Sequence, residues 1–133
     1  MNEFDIVLVE DNRHDVELIL DNFRELSINK TIFPAKDGKE ALDLFFGSDG
    51  QPIADRRFLP KLILLDLKLP KVSGLEVLTR LKSDERTRNI PVVVFTSSNE
   101  LNDRMESYHL GANSYIVKPL DADEFRDYIG RIV

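Results

Sequence analysis

The chain contains no cysteine among its 133 residues. This absence excludes disulfides, thiolate metal sites and a cysteine nucleophile. No apolar run approaches the roughly 20 residues that a membrane-spanning helix needs. The first residues also lack the basic and apolar regions of a secretory signal. We therefore expect a cytoplasmic protein with no membrane partner.

The chain also has fewer basic residues than acidic ones. The chain has 18 Lys and Arg against 24 Asp and Glu, a net charge of −6, and the basic residues are scattered. Phosphate backbones are bound by clustered positive charge, so we expect no direct nucleic-acid partner. A chain of this length, 42% hydrophobic, is long enough for one core and too short for two ordinary domains. Residues 1–133 are therefore predicted to form a single domain.

Five short apolar runs alternate with helical patterns along the chain. The runs are Phe4–Val9, Thr31–Phe33, Leu62–Leu65, Val92–Phe95 and Tyr115–Val117. Strict alternation of strands and helices with short connections is typical of a parallel sheet that helices cover on both faces. The sequence therefore predicts a doubly wound α/β fold.

The segments between the runs carry helical spacing and helix boundary signals. The members of three apolar stripes are Val16, Ile19, Leu20 and Phe23; Leu101, Met105, Tyr108 and Ala112; and Ala122, Phe125, Ile129 and Ile132. Gly111 marks the predicted stop of the helix that carries the second stripe. Two more helices are predicted to begin at capping-box pairs, Asp37 with Glu40 and Ser73 with Glu76.

Three carboxylates follow two of the apolar runs. Asp66 comes directly after Leu62–Leu65, and Glu10 and Asp11 come directly after Phe4–Val9. Open α/β sheets place their chemistry beyond the carboxyl ends of the strands, so neighbouring strands would bring the three acids together. Like charges that close repel unless a cation joins them, and carboxylate oxygens suit Mg²⁺. The alternative is that these acids are only helix N-caps or solvated loop ends.

Two further polar residues complete a candidate catalytic set. Thr96 follows the fourth run and Lys118 follows the fifth. Carboxylates, a hydroxyl and an ammonium suit phosphoryl transfer, because Mg²⁺ and lysine neutralise phosphoryl oxygens while the hydroxyl donates a hydrogen bond. Asp66 is the best placed nucleophile, and Glu10 and Asp11 are suited to hold the metal. Taken singly, Thr96 could be a helix cap and Lys118 a surface ion-pair partner.

The same residues form a set of motifs that spans nearly the whole chain. The motifs are Val9-Glu10-Asp11, Leu64-Leu65-Asp66-Leu67 through Pro70 and Gly74, Thr96-Ser97-Ser98, and Tyr115-Ile116-Val117-Lys118-Pro119. In order and spacing the chain resembles a response-regulator receiver domain. The resemblance implies a flavodoxin-like (βα)5 fold with the strand order 2-1-3-4-5.

The resemblance also implies a function in a two-component phosphorelay. Asp66 would accept a phosphoryl group from a phosphohistidine on a sensor histidine kinase. Glu10, Asp11 and Asp66 would hold Mg²⁺, with the backbone carbonyl of Lys68 as a further ligand. Such a domain is a signalling module that catalyses its own phosphorylation and autodephosphorylation, and not an enzyme that acts on a separate substrate.

Four residues near the end of the chain receive roles from the same resemblance. Lys118 would bind a phosphoryl oxygen, and the bond between Lys118 and Pro119 would be cis. Thr96 would move toward the phosphoryl group, with the ring of Tyr115 turning inward behind it. We expect this switch to alter a surface within residues 101–133, where a homodimer or a downstream protein would bind.

A narrower resemblance rests on one loop and one strand. The connection from Gly47 to Pro60 is long and aperiodic, and we expect it to be exposed. Together with the stretch from Leu62 to Lys71, it is similar to the stand-alone receivers that partner phytochrome-type kinases. We expect no output domain, so that the signal leaves by protein contact or onward phosphotransfer.

Three other protein classes fit the sequence less well. A phosphatase of the haloacid dehalogenase type needs a second aspartate two residues after the nucleophile, where this chain has Lys68. A flavodoxin needs a glycine- and hydroxyl-rich phosphate loop, where this chain has Glu10-Asp11-Asn12-Arg13, and two acids would repel the flavin phosphate. A degenerate receiver that binds partners without phosphorylation typically lacks one of the acids or the lysine, and none is missing here.

Overall fold

Five parallel strands and five helices alternate along the chain in the computed structural model, which describes residues 5–25, 30–47, 59–118 and 121–132, apart from the side chains of Ala122, Ile129 and Ile132. Strands β1 to β5 are Ile6–Val9, Ile32–Ala35, Leu62–Leu65, Val92–Thr96 and Ser114–Val117. Helices α1 to α5 are Arg13–Glu25, Gly38–Phe46, Gly74–Ser83, Leu101–His109 and Ala122–Ile132. The strands lie in the order β2-β1-β3-β4-β5. The predicted flavodoxin-like fold is confirmed.

The three inner strands are buried along their whole length. Because successive strand residues point to opposite faces, the sheet separates two apolar clusters. One cluster includes Phe45 of α2 and Leu78 of α3, and the other includes Phe23 of α1 and Phe125 of α5. Within the described ranges, no helix is both long and apolar enough to cross a membrane.

Strand boundaries differ from the sequence prediction mainly at β2. The predicted run Thr31–Phe33 is a strand over Ile32–Ala35, which pairs with β1 through Ile6↔Ile32 to Val9↔Ala35. This strand contains Pro34, which cannot donate a ladder hydrogen bond. Proline is tolerated because β2 is an edge strand. Three other predictions fall outside the described residues: the strand position of Phe4, most of the 47–60 loop, and the cis bond to Pro119.

Both predicted helix caps are present. The side chain of Asp37 accepts a hydrogen bond from the backbone nitrogen of Glu40 at 2.8 Å. The hydroxyl of Ser73 accepts one from the backbone nitrogen of Glu76 at 3.2 Å. These bonds satisfy N–H groups that the first turn of a helix leaves without partners. Helices α2 and α3 therefore begin where the capping-box spacing predicted.

The stripe predicted on α4 does not face the core. Leu101, Met105 and Tyr108 are 69%, 60% and 49% exposed, whereas Ser107 is the buried residue of this helix. Helical spacing determines which residues share a face, and packing determines which face meets the sheet. On the polar face of α4, Asp103 Oδ2 accepts a hydrogen bond from Ser98 Oγ at 2.5 Å. The prediction of a buried stripe was wrong at these three residues.

The first residue of α3 touches the backbone that carries Asp66. A Cβ atom added to Gly74 would lie 2.2 Å from the carbonyl oxygen of Asp66 and 2.5 Å from Cα of Leu67. Both neighbours are backbone atoms, so neither can move aside as a flexible side chain can. A residue without a side chain at position 74 therefore allows α3 to start against the loop that follows β3.

We predict opposite effects of alanine at two glycines. Gly74→Ala should destabilise the protein by about 1–3 kcal/mol or more, because overpacking forces the backbone apart. Gly130→Ala should stabilise it by up to about 1 kcal/mol, because Gly130 lies in α5 and no described residue outside that stretch of the helix comes within 4 Å of its added Cβ. Urea unfolding of both variants measures the two changes. A Gly74→Ala variant as stable as the wild type would contradict the close approach.

Candidate functional site

The three predicted carboxylates meet at the carboxyl ends of β1 and β3. The register pairs Val9 with Leu65, and the backbone nitrogen of Asp66 donates to the carbonyl of Val9 at 3.0 Å. The residues after these strands therefore lie at the same level. One carboxylate oxygen from each of Glu10, Asp11 and Asp66 lies within 4.8 Å of the other two.

Lys118 joins this cluster from the end of β5. Its Nζ atom donates to Glu10 Oε1 at 2.5 Å, to Asp15 Oδ2 at 2.9 Å and to Asp66 Oδ2 at 3.0 Å. An ammonium group has three hydrogens to donate. All three hydrogens are donated to carboxylates: Glu10 follows β1, Asp15 lies in α1 and Asp66 follows β3.

Burial raises the electrostatic cost of holding these charged side chains together. The side chains of Glu10, Asp66 and Lys118 are 1%, 7% and 11% exposed. Burial raises the pKa of Glu10 to about 7, Lys118 opposes this rise and Asp66 adds to it. Burial lowers the pKa of Lys118, but its bonds to Glu10, Asp15 and Asp66 outweigh that effect and raise it overall. The raised pKa of Lys118 reflects the three carboxylates that surround its single ammonium.

This donor set fits a divalent cation such as Mg²⁺. Carboxylate oxygens are hard ligands, and two like charges 4 Å apart repel by roughly 4 kcal/mol at an effective dielectric constant near 20. Asp11 is exposed, which gives an ion access from solvent. The backbone nitrogen of Lys68 donates to Asp66 Oδ1 at 3.1 Å and so fixes the orientation of that carboxylate.

Thr96 and Tyr115 lie on adjacent strands beside the cluster. Thr96 is the last residue of β4 and is wholly buried, and its carbonyl accepts from the backbone nitrogen of Lys118 at 2.7 Å. The ring of Tyr115 is 7% exposed, and its hydroxyl donates to the carbonyl of Ser98 at 2.9 Å. The ring therefore points inward and is tied to the loop that follows Thr96.

Sequence reasoning missed two acids in this region. Asp15 bonds to Lys118, but it lies in the first turn of α1 and not at a strand end, so the strand-end pattern did not point to it. Asp103 accepts the Ser98 hydroxyl and lies 3.5 Å from Nζ of Lys68. No spacing rule pointed to Asp103, because its contacts depend on how α4 is rotated.

The match to a family model agrees with the fold and the cluster. Residues 6–130 match the response regulator receiver domain. The chain belongs to this family. The alternatives of a dehalogenase-type phosphatase and a flavodoxin are therefore set aside, and the protein is a receiver domain of two-component signalling.

Individual relatives include archaeal and bacterial regulators. A probable methanogenesis regulatory protein, FilR2 of Methanothrix harundinacea, is 42% identical over 129 residues, which are 97% of this chain and 81% of FilR2. The response regulator Rcp1 of Synechocystis is 38% identical over 113 residues, 85% of this chain and 75% of Rcp1.

Two solved structures share both fold and sequence with this chain. The bacteriophytochrome response regulator AtBRR is 41% identical with a TM-score of 0.75, over 99% of this chain and 94% of that one. The Mn²⁺-bound form of Rcp1 is 33% identical with a TM-score of 0.80, over 96% of this chain and 89% of that one.

The geometry predicts that Mg²⁺ stabilises the protein. A ligand that binds only the folded state at ten times its Kd adds about 1.4 kcal/mol of stability, so millimolar Mg²⁺ should raise the Tm. The double variant Glu10→Gln with Asp11→Asn should lose this response. A matched control, Glu17→Gln with Asp21→Asn, removes two charges from the exposed face of α1 and should keep it. Equal responses in all three proteins, measured by thermal melting, would rule out the metal site.

Proposed function

We propose that this receiver domain is a phosphorylation switch in which Asp66 accepts a phosphoryl group from the histidine of a sensor kinase, with Mg²⁺ as cofactor. The observation that carries the proposal is the environment of Asp66. Its Oδ1 atom accepts from the backbone nitrogen of Lys68 at 3.1 Å, and its Oδ2 atom accepts from Lys118 at 3.0 Å. Two further carboxylates lie beside it.

The fixed orientation of Asp66 suits it to act as a nucleophile. A carboxylate that is already aligned loses little freedom when it attacks. An oxygen–phosphorus bond forms at Asp66 while the phosphorus–nitrogen bond to the kinase histidine breaks, and that nitrogen keeps the bonding electron pair. The product is an acyl phosphate.

The surrounding residues would neutralise and orient the transferred group. Mg²⁺, held by Glu10, Asp11 and Asp66 with the carbonyl of Lys68, would supply positive charge to the phosphoryl oxygens. In our proposal Lys118 donates to one phosphoryl oxygen and the Thr96 hydroxyl to another. A related response regulator, Rcp1, has a solved Mn²⁺-bound form, which supports a divalent ion as the cofactor.

The proposed partner is a sensor histidine kinase of the phytochrome type, and the proposed location of this chain is the cytoplasm. This choice rests on the relatives, since AtBRR is described as a bacteriophytochrome response regulator. A further structural relative, RcpA, is described as a phosphorylated cyanobacterial phytochrome response regulator and is 33% identical with a TM-score of 0.79. The stand-alone organisation of residues 1–133 stays a prediction.

The chemical prediction is that acetyl phosphate with Mg²⁺ adds one phosphoryl group, at Asp66. Asp66→Asn keeps the shape of the side chain but removes its nucleophilic charge, so labelling should vanish. Asp11→Asn should weaken Mg²⁺ binding and slow labelling, and Asp21→Asn on the exposed face of α1 should leave the rate unchanged. Intact-protein mass spectrometry at acidic pH measures each rate.

Two outcomes of this experiment would contradict the proposal. Labelling of Asp66→Asn at the wild-type rate would show that the acceptor is another residue. A folded wild-type protein that binds Mg²⁺ but accepts phosphate neither from acetyl phosphate nor from a panel of kinases would be a degenerate receiver, which acts by binding alone.

We further propose that phosphorylation alters the face formed by α4, β5 and α5, and that a second copy of the chain binds there. Leu101, Met105 and Tyr108 expose apolar surface on α4. The adjoining groove carries both charge signs; its lining residues are Arg104, Tyr115, Ile116, Val117, Glu124, Asp127 and Tyr128. A two-fold related copy can pair such charges reciprocally, because each patch meets its own equivalent.

The assembly prediction is tested with beryllofluoride, which mimics the phosphoryl group on Asp66. Beryllofluoride should tighten the homodimer at least about tenfold, which corresponds to 1.4 kcal/mol. Met105→Asp should abolish this dimer, whereas Leu18→Asp, a matched change on α1 at a residue that is 45% exposed, should not. Sedimentation velocity gives the assembly state. An unchanged state together with unchanged amide exchange over residues 97–118 and 121–132 would contradict the proposed switch face.

A further inference from the structure

Asp15 binds the site lysine without belonging to the group of acids that could hold the metal. Its Oδ2 atom lies 2.9 Å from Nζ of Lys118, and its side chain is 24% exposed. Within the described residues, the group that could hold a metal ion consists of Glu10, Asp11 and Asp66. Asp15 is therefore a carboxylate partner of the lysine that has no role in the reaction proposed above.

The position of Asp15 is fixed by the first turn of α1. Its backbone nitrogen donates to the side-chain oxygen of Asn12 at 3.1 Å. The backbone nitrogen of Asn12 in turn donates to Glu10 Oε2 at 3.2 Å, and its carbonyl accepts from Val16 at 3.0 Å. These hydrogen bonds join the start of α1 to Glu10. They therefore hold Asp15 in a fixed position relative to the carboxylate cluster.

The other two partners of Lys118 change during the proposed reaction. Asp66 loses its negative charge when one of its oxygens forms the bond to phosphorus, so it becomes a weaker acceptor. The charge of Glu10 is shared with the bound cation. Asp15 takes part in neither event, so its bond to Lys118 is not altered by them.

We infer that Asp15 is a positioning residue. It holds the Lys118 ammonium at the mouth of the site while the bonds from that ammonium to Glu10 and Asp66 are replaced by bonds to the phosphoryl group. This inference rests on the proposed function. One donor hydrogen stays on Asp15, and the others become available to the incoming oxygens. Without Asp15, a side chain with four rotatable bonds would have to be reordered for each transfer, since lysine is a flexible point charge.

The test compares substitutions at Asp15 in two backgrounds. With acetyl phosphate at saturating Mg²⁺, Asp15→Ala should lower the labelling rate at Asp66 by about fivefold or more, as expected when preorganisation is lost. Asp15→Asn keeps an oxygen acceptor and should recover part of the rate. Asp21→Ala, an exposed acid on the same helix, should label like the wild type. In a Lys118→Ala background, with labelling followed over longer times, Asp15→Ala should cause no further loss.

The outcomes separate this inference from the function on which it rests. A wild type that is not labelled at Asp66 would overturn the proposed function. Lys118-dependent labelling of Asp66 that Asp15→Ala leaves unchanged would overturn only the positioning role. Equal losses in both backgrounds would also overturn it, because the effect of Asp15 would then not pass through Lys118. Thermal melting of each variant verifies that the rates refer to folded protein.

Discussion

The ammonium of Lys118 is the interaction on which the rest of the site depends. Lys118 follows β5, and its ammonium lies 5.3 Å from the centre of the Phe95 ring on β4. The same ammonium contacts the carboxylates of Asp66 and Glu10, which follow β3 and β1. Because β5 lies two strands beyond β3, a short side chain could not make this connection. Removing one partner of a buried charged group is costly, since it leaves the others uncompensated. The lysine thus makes a buried cluster of acids compatible with a folded chain.

The positions of Asp66, Glu10 and Lys118 could be predicted because they depend on strand ends alone. A buried apolar run has few possible boundaries, and the order of the strands brings their carboxyl ends to one edge. Asp15 and Asp103 could not be found in this way, since their contacts depend on the rotation of α1 and α4 about their axes. The same reason explains the error on α4. Strand β2 begins one residue later and ends two residues later than predicted, because its bounds depend on pairing with β1, which propensity does not encode.

The contacts of α4 form a polar link between the site and the protein surface. Lys68, two residues after the proposed acceptor, lies 3.5 Å from Asp103 in the first turn of α4. Ser98, two residues after Thr96, donates to the same carboxylate and accepts the hydroxyl of Tyr115 through its carbonyl. A change in the loop after β3 or in the loop after β4 therefore alters the partners of Asp103 on α4. The physical route from site to helix is short and consists of named hydrogen bonds.

The way α4 is attached suits this helix to move more readily than α3. Helix α3 buries Val77, Leu78 and Leu81, and removing buried side chains of this size typically costs about 2–5 kcal/mol each. In helix α4 the buried residue is Ser107, and Asp103 accepts a hydrogen bond from Ser98 in the loop after β4. A hydrogen bond to a charged group contributes about 1.5–3 kcal/mol net. Rearranging α4 therefore disturbs fewer buried apolar side chains than rearranging α3 would. The apolar residues of α4 already face outward, so a small rotation changes the surface offered to a partner without exposing the interior.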